Sequence, residues 1–144
     1  MAMSLNGAIA RKSGQEDFLS DENWMIFKKL AENIGCIIIG RRTYEIVKKW
    51  KNYNFDSIKA KKIIVSTKIN SKINNNYIIT KSPKEAIKKA AKLGFTKVLL
   101  SGGSVINSSF LKQKLVNELI INIEPVIIGD FIPLFADGNF ESRL

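Results

Sequence analysis

Hydrophobic residues along this chain alternate between two periods, and the switches mark its elements. Trp24, Phe27, Leu30 and Ile34 recur at three- and four-residue steps, which predicts a helix with one apolar face. Ser20 stands before it as a cap, Asp21 and Glu22 place negative charge at its positive end, and Gly35 stops it. The run Cys36 to Ile39 is apolar without alternation, as expected of a strand covered on both faces, and Gly40 closes it. A second helix opens at Arg41 to Thr43 and carries Tyr44, Val47 and Trp50 inward. A polar stretch from Lys51 to Ser57 and a strand from Ile63 to Ser66 follow.

Residues Asn70 to Asn76 are polar and low in complexity, which predicts a surface loop leading to a short strand, Tyr77 to Ile79. Ser82, Pro83 and Glu85 form a helix start: a cap, a proline at the first helical position and a glutamate three residues after the cap. Ala86, Ile87, Ala90 and Leu93 make the inward face of that helix, Lys88, Lys89 and Lys92 face water, and Gly94 is the stop. Lys97 to Leu100 reads as the next strand. A helix after Gly102 and Gly103 holds Val105, Ile106, Phe110 and Leu111, and Leu119 to Ile128 reads as one long final strand. Strands alternating with helices of about ten residues predict an α/β fold with a mostly parallel sheet flanked by helices, because each helix returns the chain across the sheet. At 144 residues, without internal repeat or linker, one domain is expected.

Composition narrows the chemistry. With 45% hydrophobic and 25% charged residues, and no apolar run near the roughly 20 residues of a membrane helix, a soluble protein is expected. No secretory signal precedes Ser4, and the single Cys36 heads an apolar run, so a buried thiol in a reducing, cytoplasmic setting is the expectation. The net charge of +10 raises nucleic-acid binding, but its lysines are dispersed, with few arginines, so a generally solvated cationic surface and no nucleic-acid partner are expected. The absence of histidine excludes Ser-His-Asp and Cys-His nucleophiles. It also leaves no usual ligand set for a transition metal, and no metal is expected.

Two places share one construction, an apolar strand, then glycine, then a helix start: Ile39, Gly40, Arg41, and again Leu100, Ser101, Gly102, Gly103. Strand ends of this kind are where ligands bind in parallel sheets. A helix start offers unpaired N–H groups, and glycine lets a phosphate oxygen approach the backbone. Gly102 and Gly103 match neither the Walker loop nor the GxGxxG fingerprint, so each turn alone could equally be structural.

The segments Met3 to Ala10 (MSLNGAIA), Ile39 to Glu45 (IGRRTYE), Leu100 to Ser104 (LSGGS), Glu124 to Gly129 (EPVIIG) and Pro133 to Phe135 (PLF) occur in this order. The chain thereby resembles dihydrofolate-reductase-like proteins, including the reductase domain of riboflavin biosynthesis, over nearly its whole length. The resemblance implies a three-layer α/β fold and an NADPH-dependent reduction of a small heterocycle such as a pterin. A riboflavin-pathway aminopyrimidine reductase, or a catalytically silent NADPH-binding module, is the alternative. It implies that Gly40, Arg41, Arg42 and Thr43 contact the cofactor phosphates, with Gly102, Gly103, Ser104 and Val105 opposite. Ser66, Thr67 and Lys68 would then hold the adenosine 2′-phosphate, and Asn6, Ile9 and Ala10 would pass the nicotinamide and the substrate.

Dihydrofolate reductases carry an acid four residues before a phenylalanine of the first long helix. Counting back from Phe27 puts Asn23 there, and an asparagine can hold a ring amide but cannot act as an acid. Asn23, Glu22 and Asn6 are therefore the candidates beside the reacting atoms, and Trp24, Phe27, Tyr44 and Trp50 could wall a flat ring pocket or simply form core. The resemblance also implies a homodimer, residues before Met1 that complete the first strand, and a strand pair after Leu144. An isolated domain of this length is accordingly expected to be marginally stable.

Overall fold

The computed structural model describes residues 1–68, 76–136 and 140–142. Four parallel strands, β3 (Cys36–Gly40), β4 (Lys61–Val65), β5 (Tyr77–Thr80) and β6 (Leu99–Leu100), form one sheet in the order β5-β4-β3-β6. Its core follows from the alternation of side chains along β3. Ile37 and Ile39 point to one face, against Ala31 of helix α1 (Asp21–Ile34) and Tyr44 and Val47 of α2 (Arg41–Val47). Cys36 and Ile38 point to the other, against Ala86 and Ala90 of α3 (Pro83–Lys92) and Phe110 of α4 (Ser104–Lys112). All four β3 side chains are 0% exposed. The result is three layers, helix, sheet and helix, as in the dihydrofolate-reductase-like fold.

The helix signals read in the sequence act as expected. Ser20 Oγ accepts from Asn23 N–H, Gly35 ends α1 at φ +80°, and Ser82 Oγ accepts from Glu85 N–H at 3.2 Å. Leu93 departs from the reading: it caps the carboxyl end of α3 and is 44% exposed. The predicted loop Asn70 to Asn76 lies outside the described residues except for Asn76.

The second half of the fold differs more. Leu119 to Ile128 is not one strand: only β7 (Asn122–Glu124) is extended, paired in parallel with β1 (Ala2–Ser4). Pro125 fixes φ at about −65°, the Val126 N–H turns back to donate to Glu124 O at 2.8 Å, and the Ile128 N–H donates to Asn6 Oδ1 at 3.2 Å instead of to a strand. An unforeseen strand, β8 (Phe131–Pro133), pairs antiparallel with β2 (Ala8–Arg11). Among the described residues no ladder joins β6 to β1 or β7. A cavity of about 1530 Å³ occupies that gap, walled by α1 residues such as Phe27 and Ile34 on one side and by Ala90 and Phe110 on the other.

Candidate active site

The site is built where β3, β4 and β6 end. β3 ends at Gly40, and α2 starts at the next residue without a side-chain cap; α4 likewise follows Gly103 without one. The two turns meet: Gly40 N–H donates to Gly102 O at 2.8 Å. A Cβ on Gly40 would lie 3.3 Å from that carbonyl, and a Cβ on Gly103 would lie 3.0 Å from Thr43 Oγ1. Gly102 sits at φ +83°, a conformation glycine adopts without strain. Turn geometry favours glycine at Gly102, and the close approach of the two helix starts leaves little room for a side chain at Gly40 or Gly103. Beside them, Ser104 Oγ is buried and is the one buried side-chain polar atom among the described residues that lacks a partner.

Next to this joint lies a basic pocket of about 320 Å³, lined by Arg41, Ser66, Thr67, Lys68, Lys81 and Ser109 together with Val65, Pro83, Val105 and Ile106. Ser66 Oγ donates to Lys68 O at 2.6 Å and accepts from Lys68 N–H at 3.1 Å, so the hydroxyl shapes the turn that carries Lys68. Lys81 was not foreseen. It enters because Ser66 N–H donates to Thr80 O at 2.8 Å, which sets the ends of β4 and β5 side by side. No carboxylate lines this pocket among the described residues, although Glu45 pairs with Arg41 at 3.5 Å. Arg42 lies exposed outside it. An unpartnered buried hydroxyl, two glycine-opened turns and three cations make a donor set that fits a phosphorylated dinucleotide.

The large cavity reaches the same edge through Ile9, Thr43 and Ser101. Its α1 wall is aromatic: Trp24 lies 5.7 Å from Phe27 and 5.5 Å from Tyr53, and Phe27 lies 6.3 Å from Phe55, centroid to centroid. Ile9, Asn23, Trp24, Phe27 and Trp50 are therefore brought together in one cleft. Ala10 is buried in the β2–β8 ladder, opposite Ile132.

Other candidates are placed elsewhere. Tyr44 is 4% exposed, turned into the core edge-on to Tyr77 at 4.9 Å, and is absent from the cleft wall. Its ring fills the space under the sheet instead of facing a ligand. Glu22 is exposed and outside the cleft, as a first-turn partner of the helix dipole. The Asn6 amide donates to Ile128 O at 2.8 Å while its oxygen accepts from Ser4 Oγ at 2.8 Å and Ile128 N–H at 3.2 Å, a clamp between the turn after β1 and the chain before β8. The Asn23 amide donates to Ser20 Oγ and Glu124, and its oxygen accepts from Asn122 Nδ2 at 2.7 Å.

Two carboxylates were passed over. Glu124 belongs to the EPVIIG motif, and its position opposite Ser4 in the β1–β7 ladder brings it to Ser20 and Asn23. Glu16, in the loop between β2 and α1, lines the cleft half-buried, and burial pushes its carboxyl up to about 7. Its polar neighbours Gln15 and Asp17 read as an ordinary loop, so no local signal marks it.

The fold and site define a class, the mixed α/β domains with a dihydrofolate-reductase-like sheet. Within it, residues 1–144 match the RibD C-terminal domain, and the chain belongs to that family. The protein YyaP of Bacillus subtilis is 29% identical over 147 residues, covering 95% of this chain and 78% of YyaP. A pyrimidine reductase-like protein from Corynebacterium diphtheriae superposes with a TM-score of 0.74 at 15% identity, over 99% of this chain and 81% of that one. A diaminohydroxyphosphoribosylaminopyrimidine deaminase/5-amino-6-(5-phosphoribosylamino)uracil reductase from Thermotoga maritima gives 0.70 at 16%, over 93% of this chain and 46% of that one. At these identities the two structures show the shared fold.

Proposed function

We propose that this domain is an NADPH-dependent reductase acting on a small heterocycle, and that its substrate is of the aminopyrimidine kind its family membership favours. One observation carries the reading: two glycine-opened helix starts meet at the carboxyl edge within a single hydrogen bond of each other. Gly40 to Thr43 and Gly102 to Val105 would hold the diphosphate, with Ser104 Oγ as a further donor. Arg41, Ser66, Thr67, Lys68 and Lys81 suit the 2′-phosphate that distinguishes NADPH from NADH. A reduced nicotinamide bound beside Ile9 and Ala10 would supply the hydride. The chain's own part is to align the reacting carbons, exclude water and provide a proton. Trp24, Phe27 and Tyr53 give a flat ring an apolar wall. Dihydrofolate is disfavoured, because Asn23 is no acid and its amide is engaged by Ser20, Glu124 and Asn122. A small-molecule substrate, a cytoplasmic setting and a homodimer belong to the same reading.

Nicotinamide fluorescence tests it. The protein is expected to bind NADPH at least about tenfold more tightly than NADH, a difference of about 1.4 kcal/mol. Lys68→Ala and Lys81→Ala should weaken NADPH and leave NADH unchanged. No NADPH binding by the intact protein would defeat the reading. Binding without oxidation of NADPH in the presence of 5-amino-6-(5-phosphoribosylamino)uracil or dihydrofolate would favour the silent module.

A further inference from the structure

Reduction of a C=N or C=O bond consumes a proton along with the hydride, and the acids around the cleft differ in whether they can give one. Asp17 is exposed and pairs with Arg11 Nε at 2.6 Å, which holds its carboxyl below the ordinary aspartate range. Asp21, at the start of α1, accepts from Tyr53 OH. Glu124, on β7, accepts from Ser20 N–H at 3.0 Å, from Ser20 Oγ at 2.8 Å and from Asn23 Nδ2. Glu118 is exposed to water. Each of these side chains is ion-paired, hydrogen-bonded or open to solvent.

Glu16 stands apart. Its side chain is half-buried in the cleft wall and makes no hydrogen bond or ion pair among the described residues. The loop that carries it is fixed at several points. Arg11 N–H donates to Gln15 O at 2.8 Å, and Leu19 N–H donates to Glu16 O at 3.1 Å. At Gly14, φ +90°, a Cβ would come within 2.9 Å of Ile46 Cδ1, so the turn rests on α2. Glu16 is thereby presented between α2 and the start of α1, six residues after Ala10. Desolvation alone raises its carboxyl toward neutrality. Arg11, whose backbone closes this loop onto Gln15, is engaged by Asp17.

We propose that Glu16 is the proton donor of the cleft, an unbonded carboxyl on a pinned loop that protonates the substrate heteroatom as hydride reaches the adjacent carbon. This rests on the reductase reading. The substrate carbon would take the hydride that a reduced nicotinamide supplies, the carbon being reduced and the nicotinamide oxidised. The π pair moves onto nitrogen or oxygen and takes the Glu16 proton. The resulting carboxylate regains a proton from water at the cleft mouth.

Two measurements test it on the full chain. In the apo protein labelled with ¹³C at glutamate carboxyls, one resonance is expected to titrate near 7 and to vanish in Glu16→Gln. Its persistence in Glu16→Gln, or the absence of any such resonance, would overturn the proposal. In turnover of NADPH with 5-amino-6-(5-phosphoribosylamino)uracil, Glu16→Gln should lower kcat about 100-fold or more and leave the Kd for NADPH within about twofold, with Glu16→Asp intermediate. The wild-type rate should fall as pH rises past 7, where the acid is spent, and the Gln variant should lack that limb. A Gln variant with the wild-type rate and pH profile would refute the role of Glu16 while leaving the reductase reading standing. Failure of the wild type to bind NADPH would remove the reading and the role of Glu16 together.

Discussion

The β5-β4-β3-β6 sheet and the two short ladders beside it draw on the same aliphatic residues and treat them oppositely. Ile37, Ile38, Ile39, Ile63 and Ile64 are each 0% exposed, whereas Ile120, Ile123 and Ile127 are 44%, 57% and 74% exposed. The difference is cover. Helices pack on both faces of β3 and β4, while β1 and β7 share three paired residues and depend on side-chain clamps at Asn6 and Ser4. The covered half presents the two glycine-opened turns, and the thinner half contributes Ile9 and, through the loop after β2, Glu16. On the proposed reading, the grip on the cofactor would come from the covered part and the wall for the substrate in part from the thinner one.

Substitutions can widen or erase that contrast. Ile38→Ala should destabilise the protein by about 2–5 kcal/mol, because the cavity opens between two packed layers. Ile123→Ala should change stability by no more than about 0.5 kcal/mol; equal shifts in urea denaturation would abolish the distinction. Asn6→Ala should cost about 1–3 kcal/mol by stranding the Ile128 backbone groups. Hydrogen exchange should then accelerate at β1 and β7 and not at β3 and β4. Ser82→Ala should cost about 1 kcal/mol through loss of the α3 cap, with faster exchange confined to the first turn of that helix. For Glu16 the sign follows from its raised carboxyl. Stability is lost as pH rises from the unfolded value, about 4.5, through about 7, and is level beyond. Thermal melts should therefore show Glu16→Gln gaining on the wild type between pH 5 and 8.

The covered half is also the half that was legible in the chain. An unbroken apolar run closed by glycine defines β3, and Ser82, Pro83 and Glu85 define the start of α3, because these signals act through neighbours in sequence. The glycine turns were legible for the same reason. The ladders were not: β8 has three residues, and what makes it a strand is β2, some 120 residues away. Pro125, within an otherwise strand-like stretch, outweighs the pattern around it. Within the site, the helical spacing of Trp24, Phe27 and Tyr44 carries no information about which face meets a cleft and which meets the core. Glu16 sits in a polar loop where nothing local distinguishes a buried carboxyl from a solvated one.

The hydrogen bond from Gly40 to Gly102 closes a mouth that many loops leave slack until a ligand arrives. Here the aperture is set by main-chain atoms, which only a side chain placed at the glycines themselves would crowd. If a dinucleotide docks there, as proposed, it would surrender its own freedom but ask little reordering of its host, leaving more of the contact energy as affinity.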